Sequence, residues 1–202
     1  MSIFINNNRA EVTDTGHIKG YFTDEKGAMW HYDRFSVAGV GPGASGATEA
    51  AENATRYWLL NAITEFLYFN ADIHEDWDGD SDLVVAAYVA LDGAETANDL
   101  INATLVVDYY AEHDNMTTGR KTQTRSVDHD IVALNAAGSV HKLVFVINWD
   151  EGGNVMQVDD LIAFRFYLDS VASVAAVRFL YADFKYRTKY ALRPFVSMPS
   201  EG

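Results

Sequence analysis

Residues 161–169 read "LIAFRFYLD": Ile162, Phe164, Phe166 and Leu168 fall on one side, and Ala163, Arg165, Tyr167 and Asp169 on the other. Strict period-two alternation marks an extended strand with one face on a core, because successive side chains of a strand point to opposite sides. The same period recurs at Leu83, Val85, Ala87, Val89 and Leu91, with Tyr88 opposite. It returns at Leu105, Val107 and Tyr109, and again at Leu143, Phe145, Ile147 and Trp149. In the last such run, Phe184, Tyr186, Thr188 and Tyr190 oppose Lys185, Arg187 and Lys189. Polar stretches rich in Gly, Asp, Asn and Ser punctuate these runs, and no internal repeat is visible. About eight short strands with almost no helix define the expected class: all-β, an antiparallel β-sandwich of jelly-roll type, with a closed barrel as the alternative.

The N-terminal part reads differently. "HIKGYFT" and "AMWHYDRF" flank the polar turn "DEKG", which suggests a hairpin. The next stretch, "SVAGVGPGASGATEAAENA", is crowded with small residues that bury little, and reads as a linker or long surface loop. These features divide the chain into an arm with a Gly-rich linker over 1–46 and a sandwich over 47–202. A short helix is expected to start at Thr48, with Glu52 in its first turn. Removing residues 1–46 is accordingly expected to leave a folded sandwich and to abolish attachment or oligomerisation.

Composition narrows the function classes. With 49% hydrophobic and 22% charged residues the chain is not of the disordered type. A net charge of -14 disfavours nucleic acid, whose sequence-independent grip comes from Lys and Arg on phosphates, and disfavours anionic membranes for the same reason. No apolar run approaches the length of a membrane span, and "MSIFINNNRA" lacks the charged-then-apolar pattern of a signal peptide. Without cysteine there is no disulfide, thiolate metal site or cysteine nucleophile. The triplets at Asn53–Thr55, Asn102–Thr104 and Asn115–Thr117 match the glycosylation pattern but carry little weight without a secretory signal.

Residues 73–83, "IHEDWDGDSDL", place aspartates at 76, 78, 80 and 82 around Trp77 and Gly79. An EF-hand loop needs acids at positions 1, 3 and 5, Gly at 6 and a bidentate acid at 12. With Gly79 at position 6, the ends are His74 and Val85; starting at Asp76, the glycine position is Ser81 and the end is Ala87. Both registers lack the closing acid. The favoured reading is an acidic turn that launches the strand from Leu83, with Trp77 as a lid over the end of the sandwich and an irregular calcium site as the minority alternative.

Two carboxylate pairs are candidates for acid–base dyads, which need environments that split their pKa values. Asp159 and Asp160 are adjacent and would diverge on a strand, capping the next one. Asp128 and Asp130 share a face with His129 opposite, as on a wet strand. The six histidines (His17, His31, His74, His113, His129, His141) show no H-x-H or HExxH spacing. His17 and His31 could meet across the hairpin, an arrangement more often structural than zinc-binding. "GPGASGAT" fits neither a nucleophile elbow nor a phosphate loop. The expectation is a non-enzymatic protein with no catalytic, cofactor-binding or metal residues and no cofactor. The charge is uneven: residues 72–82 hold six acids, while Arg178, Lys185, Arg187, Lys189 and Arg193 crowd the C-terminal segment. These either balance within the chain or let the basic strand face of one copy meet the acidic loop of a neighbouring copy or of another protein.

"NAITEFLYFNADIHEDWDGDSDLVVAAYVAL", with the later "VDDLIAFRFYLDS" and "VRFLYADFKY", resembles jelly-roll virion structural proteins of tailed bacteriophages. Trp77, Asp78, Gly79, Asp82 and Leu83 match a first phrase, Asp160 and Leu161 a second, and Tyr186 a closing tyrosine. The pattern departs at Tyr167–Asp169, where Arg-Asp would be usual, and the similarity runs over about 61–190. The resemblance implies a virion component made in the host cytoplasm, of capsid-decorating, head-fibre or tail-appendage type. It would act as a homo-oligomer, with a trimer favoured, against partners such as the major capsid protein, using its arm multivalently. The alternative from another class is a carbohydrate-binding β-sandwich module, for example for host-surface glycan, with Trp30, Trp77, Tyr88, Tyr110 and Trp149 as platforms for sugar rings.

Overall fold

The computed structural model describes residues 29–189 apart from Ser45, Glu112 and Ala133, and before them the backbone of four short strands. Those four are β1 (Ile3–Ile5), β2 (Ala10–Val12), β3 (Ile18–Gly20) and β4 (Phe22–Thr23). They are followed by β5 (Met29–Ser36), β6 (Gly41–Pro42), β7 (Thr48–Glu52), β8 (Thr55–Leu60) and β9 (Leu67–Asp72). The long strands are β10 (Leu83–Leu91), β11 (Leu100–Tyr110), β12 (Lys121–Asp130), β13 (Val140–Ile147), β14 (Leu161–Leu168) and β15 (Val177–Arg187).

Two antiparallel sheets face each other. One runs β13-β10-β15-β5-β4, with β8 also on β15 and β7 on β8; the other runs β12-β11-β14-β9-β6. Among the eight principal strands, the first (β5) pairs with the last (β15) and the second (β9) with the penultimate (β14). The chain thus winds as a folded-over hairpin whose successive strands alternate between sheets, except at its tip, where β11 pairs directly with β12. That is the jelly-roll topology of an all-β sandwich. β1, β2 and β3 form a separate three-stranded sheet.

The alternation seen in the sequence is what fills the space between the sheets. Leu83, Val85, Ala87, Val89 and Leu91 of β10 face Ile162, Phe164, Phe166 and Leu168 of β14 across a core with essentially no exposure. Aromatic contacts knit the two layers: Phe164 meets Phe184 at 5.5 Å, Phe166 meets Phe179 at 5.4 Å, and Phe35 meets Phe69 at 5.1 Å. Such pairs add about 0.5–1.5 kcal/mol each beyond the area they bury. One irregularity matters for function. Tyr88 pairs with Tyr181 but Val89 with Phe179, so Leu180 is an extra residue in β15. This bulge swaps the facing of every β15 residue beyond it.

Several sequence expectations change. The helix expected from Thr48 is a hairpin of β7 and β8: Trp58 and Leu60 alternate into the core, and Asn53, at φ 54, reverses the chain in a two-residue loop. Asn tolerates this left-handed backbone better than most residues, and core burial outweighs the helical preference of Glu and Ala. The Gly-rich linker is not plain coil either, since Gly41 and Pro42 pair with Tyr68 and Leu67. Within the segment expected to be an arm, Phe22–Thr23 does pair with Met29–Trp30 as the hairpin requires, while "DEKG" lies outside the described residues. From Met29 onward, however, that segment is a strand of the main sheet, bonded to β15 from Trp30↔Arg187 to Ser36↔Tyr181. An arm that can detach therefore has to end before Met29. The polar run at 121–130, whose first residues read as loop, is the edge strand β12.

Candidate functional site

The acidic loop between β9 and β10 closes one end of the sandwich by zipping onto the end of β15 of its own chain. Asp78 N donates to Arg187 O at 3.1 Å, Lys189 N to Asp76 O at 2.8 Å, and Trp77 bridges Thr188. Trp77 is buried beneath, its indole N–H donating to Ser81 O at 3.2 Å. The acidic loop and part of the basic segment thus meet within one chain, Arg187 lying 3.8 Å from Asp78; Arg193 lies outside the described residues.

The four aspartates do not converge as calcium ligands. Asp78 Oδ1 accepts from Ser81 N–H and O–H, Asp82 accepts from Trp149 N, Asp80 is exposed, and Asp76 points the other way. Asp76 turns toward the end of β5, where His31 and Asp33 occupy inward-facing positions two residues apart. His31 Nδ1 lies 3.3 Å from Asp76 Oδ2, and His31 Nε2 lies 3.3 Å from Asp33 Oδ1. Tyr186, fully buried on β15, stacks on the His31 ring at 4.8 Å and donates its O–H to Asp76 Oδ1 at 3.0 Å. His74 Nε2 lies 3.9 Å from Asp33 Oδ2, with its ring 4.9 Å from that of His31. Burial pushes His31 down, but the hydrogen bond and charge of Asp33, joined by those of Asp76, outweigh it and leave its pKa raised. Burial, then the charge and hydrogen bond of Asp76, push the Tyr186 phenol up. His17, the companion expected for His31, lies outside the described residues.

The second concentration of chemistry is the outer face of the β13-β10-β15-β5 sheet. Register places Lys142, Tyr88, Tyr181 and Ser36 in one row across the four strands. The next row is Val144, Ala86, Asp183 and Arg34, and the third is Val146, Val84, Lys185 and Tyr32. Trp30 follows beside Arg187. Tyr88 and Tyr181 stack at 4.3 Å; Arg34 covers Tyr181 at 4.3 Å and Lys142 lies 5.8 Å from the Tyr88 ring. Arg34 in turn grips Asp183 through two nitrogens, at 2.7 and 3.1 Å. Lys185 spans Trp30 and Tyr32 at 5.5 and 5.8 Å, and Tyr32 is 45% exposed. Burial, then the charge of Lys142, lower the Lys185 pKa.

On the outer face of the other sheet Arg165 lies over Phe66 and Tyr167 at 5.3 and 5.9 Å, its Nε buried without a hydrogen-bond partner, while several polar groups pair with one another. Thr104 bonds Ser126 and Asp169, Thr122 bonds Asp108, and Asn102 bonds Asp128. Asp130 accepts from Val132 N. Asp160 is buried, accepts from Gln157 N and has its pKa raised by burial, while Asp159 sits at positive φ in the turn before β14. Of the five aromatics expected as sugar platforms, Trp30 and Tyr88 share the outer face. Trp77 and Tyr110 are buried, and Trp149 packs against the core. Tyr32 and Tyr181 join that face without having stood out in the sequence.

Fold and site together define the class: an antiparallel jelly-roll β-sandwich with an aromatic, cation-bearing outer face and a histidine–aspartate cluster at one end. No protein-family model matches the sequence, and no curated protein matches it. Similar solved structures include the xylan-binding module CBM15, with TM-score 0.46 and 14% identity over 82% of this chain and 99% of that one. Another is the CBM36-1 domain of a multidomain xylanase from the hindgut metagenome of Trinervitermes trinervoides, with TM-score 0.43 and 7% identity over 76% and 96%. A third is the carbohydrate-binding module CBM36 in complex with calcium and xylotriose, with TM-score 0.43 and 10% identity over 75% and 98%.

Proposed function

We propose that this protein is a non-catalytic, carbohydrate-binding β-sandwich that holds its ligand on the outer face of the β13-β10-β15-β5 sheet. The observation that carries this reading is the gathering of Trp30, Tyr32, Tyr88 and Tyr181, from strands far apart in sequence, onto one sheet face. Aromatic rings match the C–H faces of sugars, while phenol, ammonium and guanidinium groups beside them offer hydrogen bonds to hydroxyls and acidic substituents. The Tyr88–Tyr181 stack has a cation against each outer ring, so it presents ring edges and hydroxyls rather than open faces. Trp30 and Tyr32 share the single cation Lys185 between them, and Tyr32 is 45% exposed, so these two rings offer the apolar contact on the sides Lys185 does not cover. From the Tyr32 row to the Tyr181 row is four residues along β15, roughly 14 Å at about 3.4 Å per residue, which suits an extended chain better than a single sugar.

Affinity electrophoresis against a panel of neutral and uronate-containing soluble polysaccharides tests the reading. At least one should retard the protein, and Trp30→Ala and Tyr32→Ala should each weaken binding by at least about tenfold, or ~1.4 kcal/mol, with the circular dichroism unchanged. Retention of full binding by both variants, or no retardation by any polysaccharide, overturns it.

A second reading, self-association into a homo-oligomer, is supported by the exposed Val140, Val144 and Val146 on the outer side of β13, an apolar strip at a sheet edge. Light scattering separates the two: a trimer that dissociates on Val144→Lys supports assembly through this strip, and a stable monomer counts against it.

A further inference from the structure

We infer that His31, Asp33 and His74 form a binding site for a divalent transition-metal ion of the zinc class, separate from the outer face. One ligand atom from each residue lies within 4.8 Å of the other two, and among the described residues this is the grouping of three or more such side chains with that convergence. Ligand atoms about 2.0–2.1 Å from a tetrahedral zinc stand roughly 3.3–3.4 Å apart. His31 Nε2 and Asp33 Oδ1 are 3.3 Å apart, which fits such an edge; His74 Nε2 lies 3.9 Å from the other carboxylate oxygen, Oδ2, so His74 has to swing inward to close on the same ion. It can do so, since its side chain is 51% exposed at the rim.

The shell behind the ligands is built as metal sites require. Once Nε2 of His31 binds a cation, its Nδ1–H donates to Asp76, and Asp76 is held in place by the Tyr186 hydroxyl. A carboxylate behind a ligating imidazole sets its tautomer and orientation. Tyr186 stacked on the ring, at an interplanar angle of 4°, fixes its plane. Two neutral imidazoles with Asp33 and Asp76 carry two negative charges, which one divalent ion neutralises. Two imidazole nitrogens with one carboxylate select zinc, copper, nickel or cobalt over calcium and magnesium, which prefer oxygen. Three protein ligands with one at the exposed rim leave a fourth position for water or a ligand group. The ion would link strand β5, through His31 and Asp33, to the loop before β10, through His74.

The test is a competition titration of the full chain with Zn2+ against a chromophoric chelator, with Co2+ absorption as the geometric readout. Wild type should take up a single equivalent, give the intense visible bands of a four-coordinate Co2+ site, and ignore Ca2+. His74→Ala, at the rim, and Asp33→Asn should each weaken Zn2+ by at least about tenfold, whereas His129→Ala should leave it unchanged. A Zn2+-induced rise in the urea midpoint should appear in wild type and be lost in His74→Ala. Failure of wild type to bind Zn2+, or binding that survives both His74→Ala and Asp33→Asn, overturns the inference.

Discussion

Removing residues 1–46 should unfold this protein rather than trim it. The side chains deleted with β5 take their own ordering cost away with them, so the loss has to be reckoned from what stays behind. Three rings lose their cover: Phe69, which meets Phe35; Tyr186, which stacks on His31; and Trp58, whose N–H donates to Val37 O at 3.1 Å. A buried aromatic of roughly 200 Å2 at about 25 cal/mol per Å2 is stabilised by ~5 kcal/mol. Uncovering about a third of each ring therefore costs on the order of 5 kcal/mol. The orphaned indole donor adds about 1 kcal/mol. β15 also loses its ladder along the β5 side. Against a total stability of roughly 5–15 kcal/mol, about 6 kcal/mol is two-fifths or more of the whole, and the lost ladder adds to it. The assay is urea denaturation followed by near-ultraviolet circular dichroism, comparing the full chain with one beginning at Phe22 and one beginning at Ala47. The Phe22 chain should unfold cooperatively, and the Ala47 chain should show no cooperative transition. A cooperative transition within about 1 kcal/mol of the full chain for the shorter form would refute the placement of β5 in the core.

Other expectations follow from particular contacts. Trp77→Ala should lower stability by about 3–5 kcal/mol, measured by urea titration, because a buried ring and its bond to Ser81 are removed beneath the closing loop. His129 Nε2 lies 3.1 Å from His141 Nδ1, whose other nitrogen lies 2.7 Å from Leu134 O. Burial, then the charge of His141, push His129 below its usual pKa despite Asp130. The neutral form is thus the one the fold favours: this contribution is intact above about pH 6.5 and is lost as pH falls through the lowered value. His31, whose raised pKa acts the other way over the same range, is common to both proteins, so the effect is read as a difference: between about pH 7.5 and pH 5.5 the urea midpoint of wild type should fall relative to that of His129→Gln. Arg125 donates from Nε to Val146 O at 2.8 Å along the free edge of β13. Arg125→Ala should lower stability by about 1.5–3 kcal/mol and speed aggregation on heating, seen by turbidity, as an uncovered strand edge would.

Much of the sandwich was legible because buried strands repeat every second residue, and β10, β11, β13 and β14 each show that period without interruption. β12 was harder to see, since its inward face carries Gln123, Arg125 and His129, which serve the sheet edge rather than the apolar core. Parity counted back from Phe184 and Tyr186 puts Tyr181 on the outer face, as observed, and fails only beyond the extra residue at Leu180, where Phe179 and Val177 turn inward. Tyr32 lay hidden in a segment whose composition reads as an arm. His74 and Asp76 stood inside a loop that the sequence already singled out, but their partners are on β5 and β15, and nothing in the local spacing of the loop points there. The sequence asked whether the aspartates bind an ion together, whereas the fold sends each to a different neighbour.

The last of the described strands, β15, is also the one around which its sheet is assembled, since it lies between β10 and β5 and touches β8 as well. During synthesis β5 must therefore wait for its partner while roughly 150 further residues are added, about 8–30 s at ~5–20 residues per second. Until Arg187 has left the ribosome, the apolar faces of β10 and β14 have no complete enclosure. Folding of the sandwich thus begins late, is dominated by long-range pairing, and is slow. A chain cut anywhere before β15 lacks the strand that joins β10 to β5.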